Sequence, residues 1–490
     1  LNDGTGTFTN VTATHFPVLT LNSFSSAAAD VDADGDLDLF FSDSGATTFG
    51  GTGGQTRLFI NDGTGHFANE TAARMPAVNI VAAVDLNVAD VDGDFDIDVM
   101  VVSRDGSPSK MFKNDGRGFF VEAPLPSDGS GTYEYEIGDV DGDSDADVFV
   151  IGVSGLTEGT FVNDGTGTFT LGVGTVVGNA SSDDNDAALG DVDSDGDWDC
   201  AVAALSTAER FFLNNGAGVF TFQAGFVTAF VDSSMDGEFA DVDDDGDLDY
   251  LSAVGESGAF QNRIYINTSA TAADNDAPTF RLPAYGPQTP FGPLMVRVGV
   301  RDVMATDGDP EYQSVTLHWT VGGVPGSAPM TWAGADLFQA LMPGGAQGVP
   351  ITLYAECTDR AGNLGTSATA AFSPLAFPPV VLSVTTTGVG DVTITLDAPM
   401  QAFAEEYVLV SAATNLPLGA GPFLGLGADA LLWFNLPFGV APFHYFLDVN
   451  GHLASSFPAG TLPLGLTLDA RAVTFPLGPP QLSNLVRRSF

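Results

Sequence analysis

Apolar residues along the first half of this chain fall in short runs rich in Val and Phe, such as Leu37-Asp38-Leu39-Phe40-Phe41 and Ala146-Asp147-Val148-Phe149-Val150. Runs this short, β-branched and aromatic, predict strands. A polar signature separates them. Leu58-Phe59-Ile60-Asn61-Asp62-Gly63-Thr64-Gly65-His66-Phe67 returns as Met111-Phe112-Lys113-Asn114-Asp115-Gly116-Arg117-Gly118-Phe119-Phe120, and again at 161–169 and 212–220. Asn-Asp-Gly between apolar runs is a hairpin turn, because Asn and Gly tolerate the positive φ that such turns need. Each repeat therefore reads as strand, polar loop, strand, strand, hairpin, strand. From about residue 279 the pattern changes to longer alternating strands at 294–300, 314–321 and 351–357. That spacing suggests a sandwich.

The polar loops carry aspartate at every second position. They are Asp30, Asp32, Asp34, Asp36 and Asp38; Asp90, Asp92, Asp94, Asp96 and Asp98; Asp139, Asp141, Asp143, Asp145 and Asp147; Asp191, Asp193, Asp195, Asp197 and Asp199; and Asp241, Asp243, Asp245, Asp247 and Asp249. Their first members lie 60, 49, 52 and 50 residues apart. Carboxylates at positions 1, 3, 5 and 9, with the carbonyl of the seventh residue, suit a hard cation that takes six to eight oxygens. This points to Ca2+, about five ions in all, one per loop. Zinc needs His or Cys, and none is near. An EF-hand loop shares the first nine positions but closes with a bidentate Glu at position 12. Here position 12 is Phe41, Val101, Val150, Val202 and Ser252, so position 9 is left to supply the last side-chain ligand.

A four-stranded unit of about 50 residues, repeated, marks a β-propeller blade, which buries its faces only by stacking on neighbours. The pairing of D-x-D-x-D-G-x-x-D loops with L-x-N-D-G-x-G-x-F hairpins resembles the FG-GAP/VCBS repeat family over roughly 1–270. The resemblance implies an integrin-like, calcium-loop propeller with five blades visible, complete alone or as part of a ring of seven. Phe95 and Ser144 stand where the family carries Gly at position 6. That predicts strain in the second and third loops, unless Gly93 and Gly142 relieve the bend. The opening residues 1–8 are half a repeat, while the fifth repeat stops at Asn267 without its hairpin. Three readings follow: residues 5–12 supply the outer strand of the last blade, upstream blades complete a larger ring, or the opening strand completes a neighbouring molecule.

The expected organisation is all-β, with a propeller at 1–272, an Ig-like or fibronectin-III-like sandwich at 273–376 and a second sandwich at 377–490. Thr358-Asp359-Arg360-Ala361-Gly362-Asn363 resembles the D-x-A-G-N turn of bacterial Ig-like modules, and Trp319 reads as a core residue. The apolar passage at 417–448 is too rich in Gly and Pro for a spanning helix. It is an ordinary core or an apolar surface for assembly. Cys200 and Cys357 fall in different domains and read as two buried thiols.

Net charge is −48, and residues 1–276 hold 49 acids against 8 bases. That balance argues against nucleic acid and anionic membrane as partners. The five histidines are scattered, and no G-x-S-x-G, H-E-x-x-H or P-loop occurs, so no catalytic residue is named. Without a start Met, signal peptide or long apolar run, the chain reads as a mature or truncated exported product. The family resemblance implies a secreted calcium-binding adhesion or structural protein of a bacterial surface or matrix. Its partners would be other surface or matrix proteins, glycans, or its own copies. A glycan-binding or polysaccharide-lyase-associated propeller and a filament subunit built by strand sharing are the alternatives.

Overall fold

The computed structural model describes residues 1–302, 312–372 and 381–397, apart from 3, 48–50, 105–106, 129–130, 153–157, 173, 179–182, 232, 244, 256–260, 269–273, 275, 285–292, 345–348, 388 and 390. Beyond these it describes 405–411, 444–446, 452–458, 466–475, 481–482 and 486–489. The apolar passage expected at 417–448 lies outside the described residues except for the strand His444–Phe446.

Strands dominate, as the short β-branched runs predict. Five sheets follow one another along 26–265, antiparallel and with their strands in sequence order except that the fourth adds the short strand Val176–Val177, parallel to Phe220–Phe222. The first comprises Ser26–Ala29, Asp38–Phe41, Arg57–Asn61 and Phe67–Asn69. The next three begin at Ala83–Ala89, Thr132–Gly138 and Asp183–Gly190, and the fifth has only three strands, Ser234–Ala240, Asp249–Val254 and Arg263–Tyr265. The sheets stack face to face. One apolar cluster joins the first to the second, a further cluster the second to the third, and so on to the fifth. Second strands such as Asp98–Ser103 and Asp147–Gly152 are buried along their whole length. This is why they are continuous apolar runs rather than alternating ones.

The first strands pack in succession from the first sheet to the fifth, and no comparable packing among the described residues returns from the fifth to the first. Nor do residues 5–12 complete the last sheet, as one reading expected. Residues 1–9 close on themselves through an Asn2–Phe8 bridge. His15 then stacks on His66 with centroids 4.0 Å apart, and Phe16 packs on Phe41, Phe59 and Phe67. The reason is in the repeat. Residues 8–17 echo 67–76, placing His15 where the next unit has Arg74, and Arg74 lies over Phe119 just as His15 lies over His66. The opening segment therefore docks on the first sheet as 67–76 docks on the second.

Each first strand of the second to fifth sheets carries a bulge, at Val84, Tyr133, Asn185 and Met235, followed by an acid. These acids, Asp85, Glu134, Asp186 and Asp236, stand five residues before a loop aspartate; the first repeat has Ser25 there. They stitch neighbouring sheets: Asp85 accepts from the Tyr135 N–H, Glu134 from Ala187 and Asp186 from Gly237. Sequence reasoning missed this column, because a lone acid in a strand looks like a solvated position.

The second module is two sheets over one core. Val296, Val298, Val300 and Phe338 from one sheet meet Val315, Leu317, Leu353, Ala355 and Cys357 from the other, with Trp319 packed at the margin. Both cysteines are buried free thiols. The hairpin at Asp359–Asn363 forms as expected, with Gly362 at φ 96°. The first stacked sheet and this module touch closely: Asp30 N–H donates to the Ala333 carbonyl at 2.8 Å, and a Cβ on Gly334 would collide with Ala29. Two further sheets, built on Val392–Asp397 and Thr467–Phe475, follow.

Burial raises the Asp186 carboxyl from 3.8 to about 7, and burial together with the facing Asp186 charge raises Glu134. A carboxyl raised in the folded state contributes its full stability below the unfolded value and loses it as pH rises toward the folded one. In EDTA, Asp186→Asn should therefore flatten the loss of stability between pH 4 and 7.5. Parallel urea midpoints for both proteins across that range would contradict this.

Candidate metal centres

In every repeat the loop is the connection between the first two strands, closed by one register pair. These pairs are Ala29–Asp38, Ala89–Asp98, Gly138–Asp147, Gly190–Asp199 and Ala240–Asp249. Position 9 is thus the first residue of a buried strand. One of its oxygens accepts the N–H of position 2, as Asp98 does from Val91 at 3.2 Å, and the other accepts the N–H of the hairpin Asn, here Asn114 at 2.7 Å. The same pair of bonds recurs at Asp38, Asp147, Asp199 and Asp249.

Position 1 shapes the loop. Asp30 accepts from Asp34 and Gly35, Asp191 from Asp195 and Gly196, Asp241 from Asp245 and Gly246, and Asp139 from Gly142, Asp143 and Ser144. The winding uses left-handed backbone twice, at positions 4 and 6: Ala33 with Gly35, Gly93 with Phe95, Gly142 with Ser144, and Ser194 with Gly196. Each of these four loops spends one glycine on the two positions. Gly93 and Gly142 therefore do not relieve position 6, where Phe95 and Ser144 sit at φ 68° and 75°. The expected strain is present, and loops one and four carry its counterpart at position 4.

Oxygen atoms from positions 1, 3 and 9 lie within 4.8 Å of one another in all five loops, joined by position 5 in the third: Asp30, Asp32 and Asp38; Asp90, Asp92 and Asp98; Asp139, Asp141, Asp143 and Asp147; Asp191, Asp193 and Asp199; Asp241, Asp243 and Asp249. The other position-5 residues, Asp34, Asp94, Asp195 and Asp245, and the position-7 residues are not in these groups. At position 7, Asp36, Asp96, Asp145 and Asp197 turn one oxygen toward the hairpin glycines Gly63, Gly116, Gly165 and Gly216 of their own sheets. A Cβ on Gly63 or Gly165 would strike that carboxylate.

The donor set fits a hard divalent ion. Buried carboxylate oxygens are left without any hydrogen-bond partner at Asp32, Asp90, Asp92, Asp96, Asp141, Asp193, Asp197 and Asp247, in every case Oδ1. A buried acceptor that nothing satisfies is costly unless a cation answers it. Burial first, and neighbouring aspartates second, raise Asp96 to about 8 and Asp197 and Asp247 to about 6. Burial likewise raises Asp38 and Asp147 to about 7, Asp199 to about 8 and Asp98 to about 9. Crowded carboxylates that resist ionisation are what a bound cation would hold ionised.

The hairpin asparagine does more than turn the chain. Asn114 Nδ2 donates to the Ile97 carbonyl of its own loop at 3.1 Å and to the Val31 carbonyl of the preceding loop at 2.8 Å. Asn163 links Ala146 to Val91, Asn214 links Trp198 to Val140, and Asn267 links Leu248 to Val192. Each loop is thereby tied to the next sheet. The signal was the Asn of Asn-Asp-Gly, read from sequence as a turn former only.

With this geometry in hand, a protein-family comparison finds three matches, at residues 1–41, 90–150 and 191–252, each ending within the strand that follows a loop. They are similar to the FG-GAP-like repeat. Together they span about a third of the chain. A search of curated proteins returned no match. Among solved structures, a bacterial ice-binding adhesin of 1.5 MDa, studied for host cell surface retention, aligns at 11% identity and a TM-score of 0.21 over 40% of this chain and 57% of that one. A Ca2+-stabilised adhesin with which an Antarctic bacterium binds ice aligns at 10% and 0.23, over 96% and 99%. The FN1–FN3 domains of chicken CNTN1 align at 9% and 0.26, over 63% and 99%. No described helix is long and apolar enough to cross a membrane.

Two outcomes follow from the loops. Asp193→Asn removes a position-3 carboxylate with an unpartnered oxygen, so it should lower the melting temperature by several degrees in millimolar calcium and leave it equal or higher in EDTA. Equal losses in both would contradict ligation. Ser144→Gly removes a left-handed side chain and should stabilise by about 0.5–1 kcal/mol, read as a higher urea midpoint; an unchanged or lower midpoint would show the turn to be unstrained.

Proposed function

We propose that this chain is a secreted, calcium-stabilised adhesion or structural protein of a bacterial surface or extracellular matrix, its stacked sheets forming the blades of a propeller. One observation carries the reading: five copies of a single oxygen-only centre, with at least one unpartnered buried carboxylate oxygen in each loop. In each centre positions 1, 3, 5 and 9 would hold the ion, with the carbonyls of Asp36, Asp96, Asp145, Asp197 and Asp247. Extracellular calcium modules bind at about 0.1–1 mM, a range that cytosolic calcium would leave empty. At about 10 mM calcium each such site adds roughly 1.4–2.7 kcal/mol. Five sites of that size rival the stability of a whole domain, so the ion would govern whether the stack folds. The charge of −48 keeps such a surface soluble and selects against anionic partners.

Labelled full-length chain should bind saturably to an immobilised panel of matrix proteins and glycans in calcium, and lose that binding in EDTA. No binding to any surface, or equal binding in EDTA, would contradict the proposal.

A further inference from the structure

The strand Leu294–Arg301 alternates between two tasks. Val296, Val298 and Val300 enter the module core, while Arg297, Gly299 and Arg301 face the stacked sheets. Arg281 pairs across from Gly299. A Cβ on Gly299 would press on its guanidinium, the nearest atom 3.0 Å away. Three guanidiniums thus stand in a row, with Arg281 between two arginines that are roughly 14 Å apart at about 3.4 Å per residue.

The row meets the first three loops in order. Arg297 Nη2 donates to the Asp30 carbonyl at 2.7 Å and lies 3.4 Å from Asp30 Oδ2. Arg281 Nη1 donates to Asp90 Oδ2 at 3.0 Å. Arg301 Nη1 donates to the Asp145 carbonyl at 3.2 Å and lies 3.6 Å from Asp139 Oδ2. The arms are fixed from behind: Asp336 pairs with Arg281 at 3.0 Å and with Arg301 at 2.9 Å. Gln339, opposite Arg297 in the sheet, accepts from its Nε at 3.1 Å and donates to Asp30 Oδ2 at 2.6 Å.

In the second loop the carboxylate at position 1 is divided. Asp90 Oδ2 faces Arg281, while Oδ1 is buried with no partner. Position 3 divides the same way: Asp32 Oδ2 pairs with Arg74 and Asp92 Oδ2 with Lys113, and both Oδ1 atoms are unpartnered. A protein cation holds one oxygen and leaves the other for the loop centre. That is the arrangement of an outer group that orients a metal ligand without displacing the metal. The ion pairs of Arg281, Arg297 and Arg301 with loop aspartates all fall in the first three loops.

We propose that Arg281 is a positioning residue for the cation of loop two, flanked by Arg297 at loop one and Arg301 at loop three, so that ion binding at these loops and docking of the second module strengthen each other. Loops four and five bind without these three arginines. The inference rests on the metal reading above, and reciprocity follows from linkage. Calcium then sets the joint between the modules as well as the stability of the sheets.

Hydrogen–deuterium exchange on the full chain, followed through a calcium titration, reports each loop by its own peptides. Arg281→Gln should raise the calcium midpoint of 90–98 about tenfold and leave those of 191–199 and 241–249 unchanged. It should also leave 331–339 less protected in calcium, and Arg281→Lys should restore part of the midpoint. If Arg281→Gln unfolds the module, Gln339→Leu makes the same measurement at 30–38, where a rise supports the proposal and an unchanged midpoint overturns it. An unchanged or lower midpoint at 90–98 in a folded Arg281→Gln protein overturns it directly, since the arginine would then be idle or a competitor. Wild-type chain with no calcium-dependent protection at any loop would sink the metal reading and the proposal with it.

Discussion

Crowding of buried carboxylates is the constraint on which this molecule turns. Each loop brings aspartates from positions 1, 3 and 9 within 4.8 Å, and the backbone N–H groups around them satisfy positions 1 and 9 more fully than position 3. What remains is a set of Oδ1 atoms with no partner. Coulomb repulsion at such separations, in a partly desolvated site, opposes folding unless positive charge enters. Arg74 and Lys113 at loops one and two, and the arginines of the second module, supply part of it. The remainder has the shape and chemistry of a divalent ion.

The loops matter to the fold because they are not appendages. Position 9 is the buried first residue of the second strand, position 7 lies against the hairpin glycine of the same sheet, and the hairpin asparagine reaches back to the preceding loop. A change at one centre is therefore felt in two sheets. The bulge acids repeat this logic at the other end of the first strands, where Asp85, Glu134 and Asp186 each accept an N–H from the next sheet. Between these two rows of polar bonds lie the apolar clusters, so that stacking order is specified by hydrogen bonds and paid in buried area.

Local signals were legible in the sequence, and distant ones were not. The loops, the Asn-Asp-Gly hairpins and the all-β repeats could be read because each depends on residues within one repeat. The sixth-position departures at Phe95 and Ser144 were visible too, although the second left-handed residue at position 4 was not, since Ala33 and Ser194 give no hint of it. Arg297 and Arg301 carried no readable signal, because their partners lie more than 150 residues away. The acids at Asp85, Glu134 and Asp186 were hidden for a similar reason: their bonds cross between sheets. Counting strands left three places open for the opening segment, the last sheet among them, whereas its likeness to 67–76 places it on the first.

Native mass spectrometry of the calcium-equilibrated chain, with matched ion-mobility profiles before and after EDTA, tests the central claim most directly. The account predicts five divalent ions per chain and expansion of the first half when they are stripped. A metal-free chain that is equally compact in both conditions would contradict it.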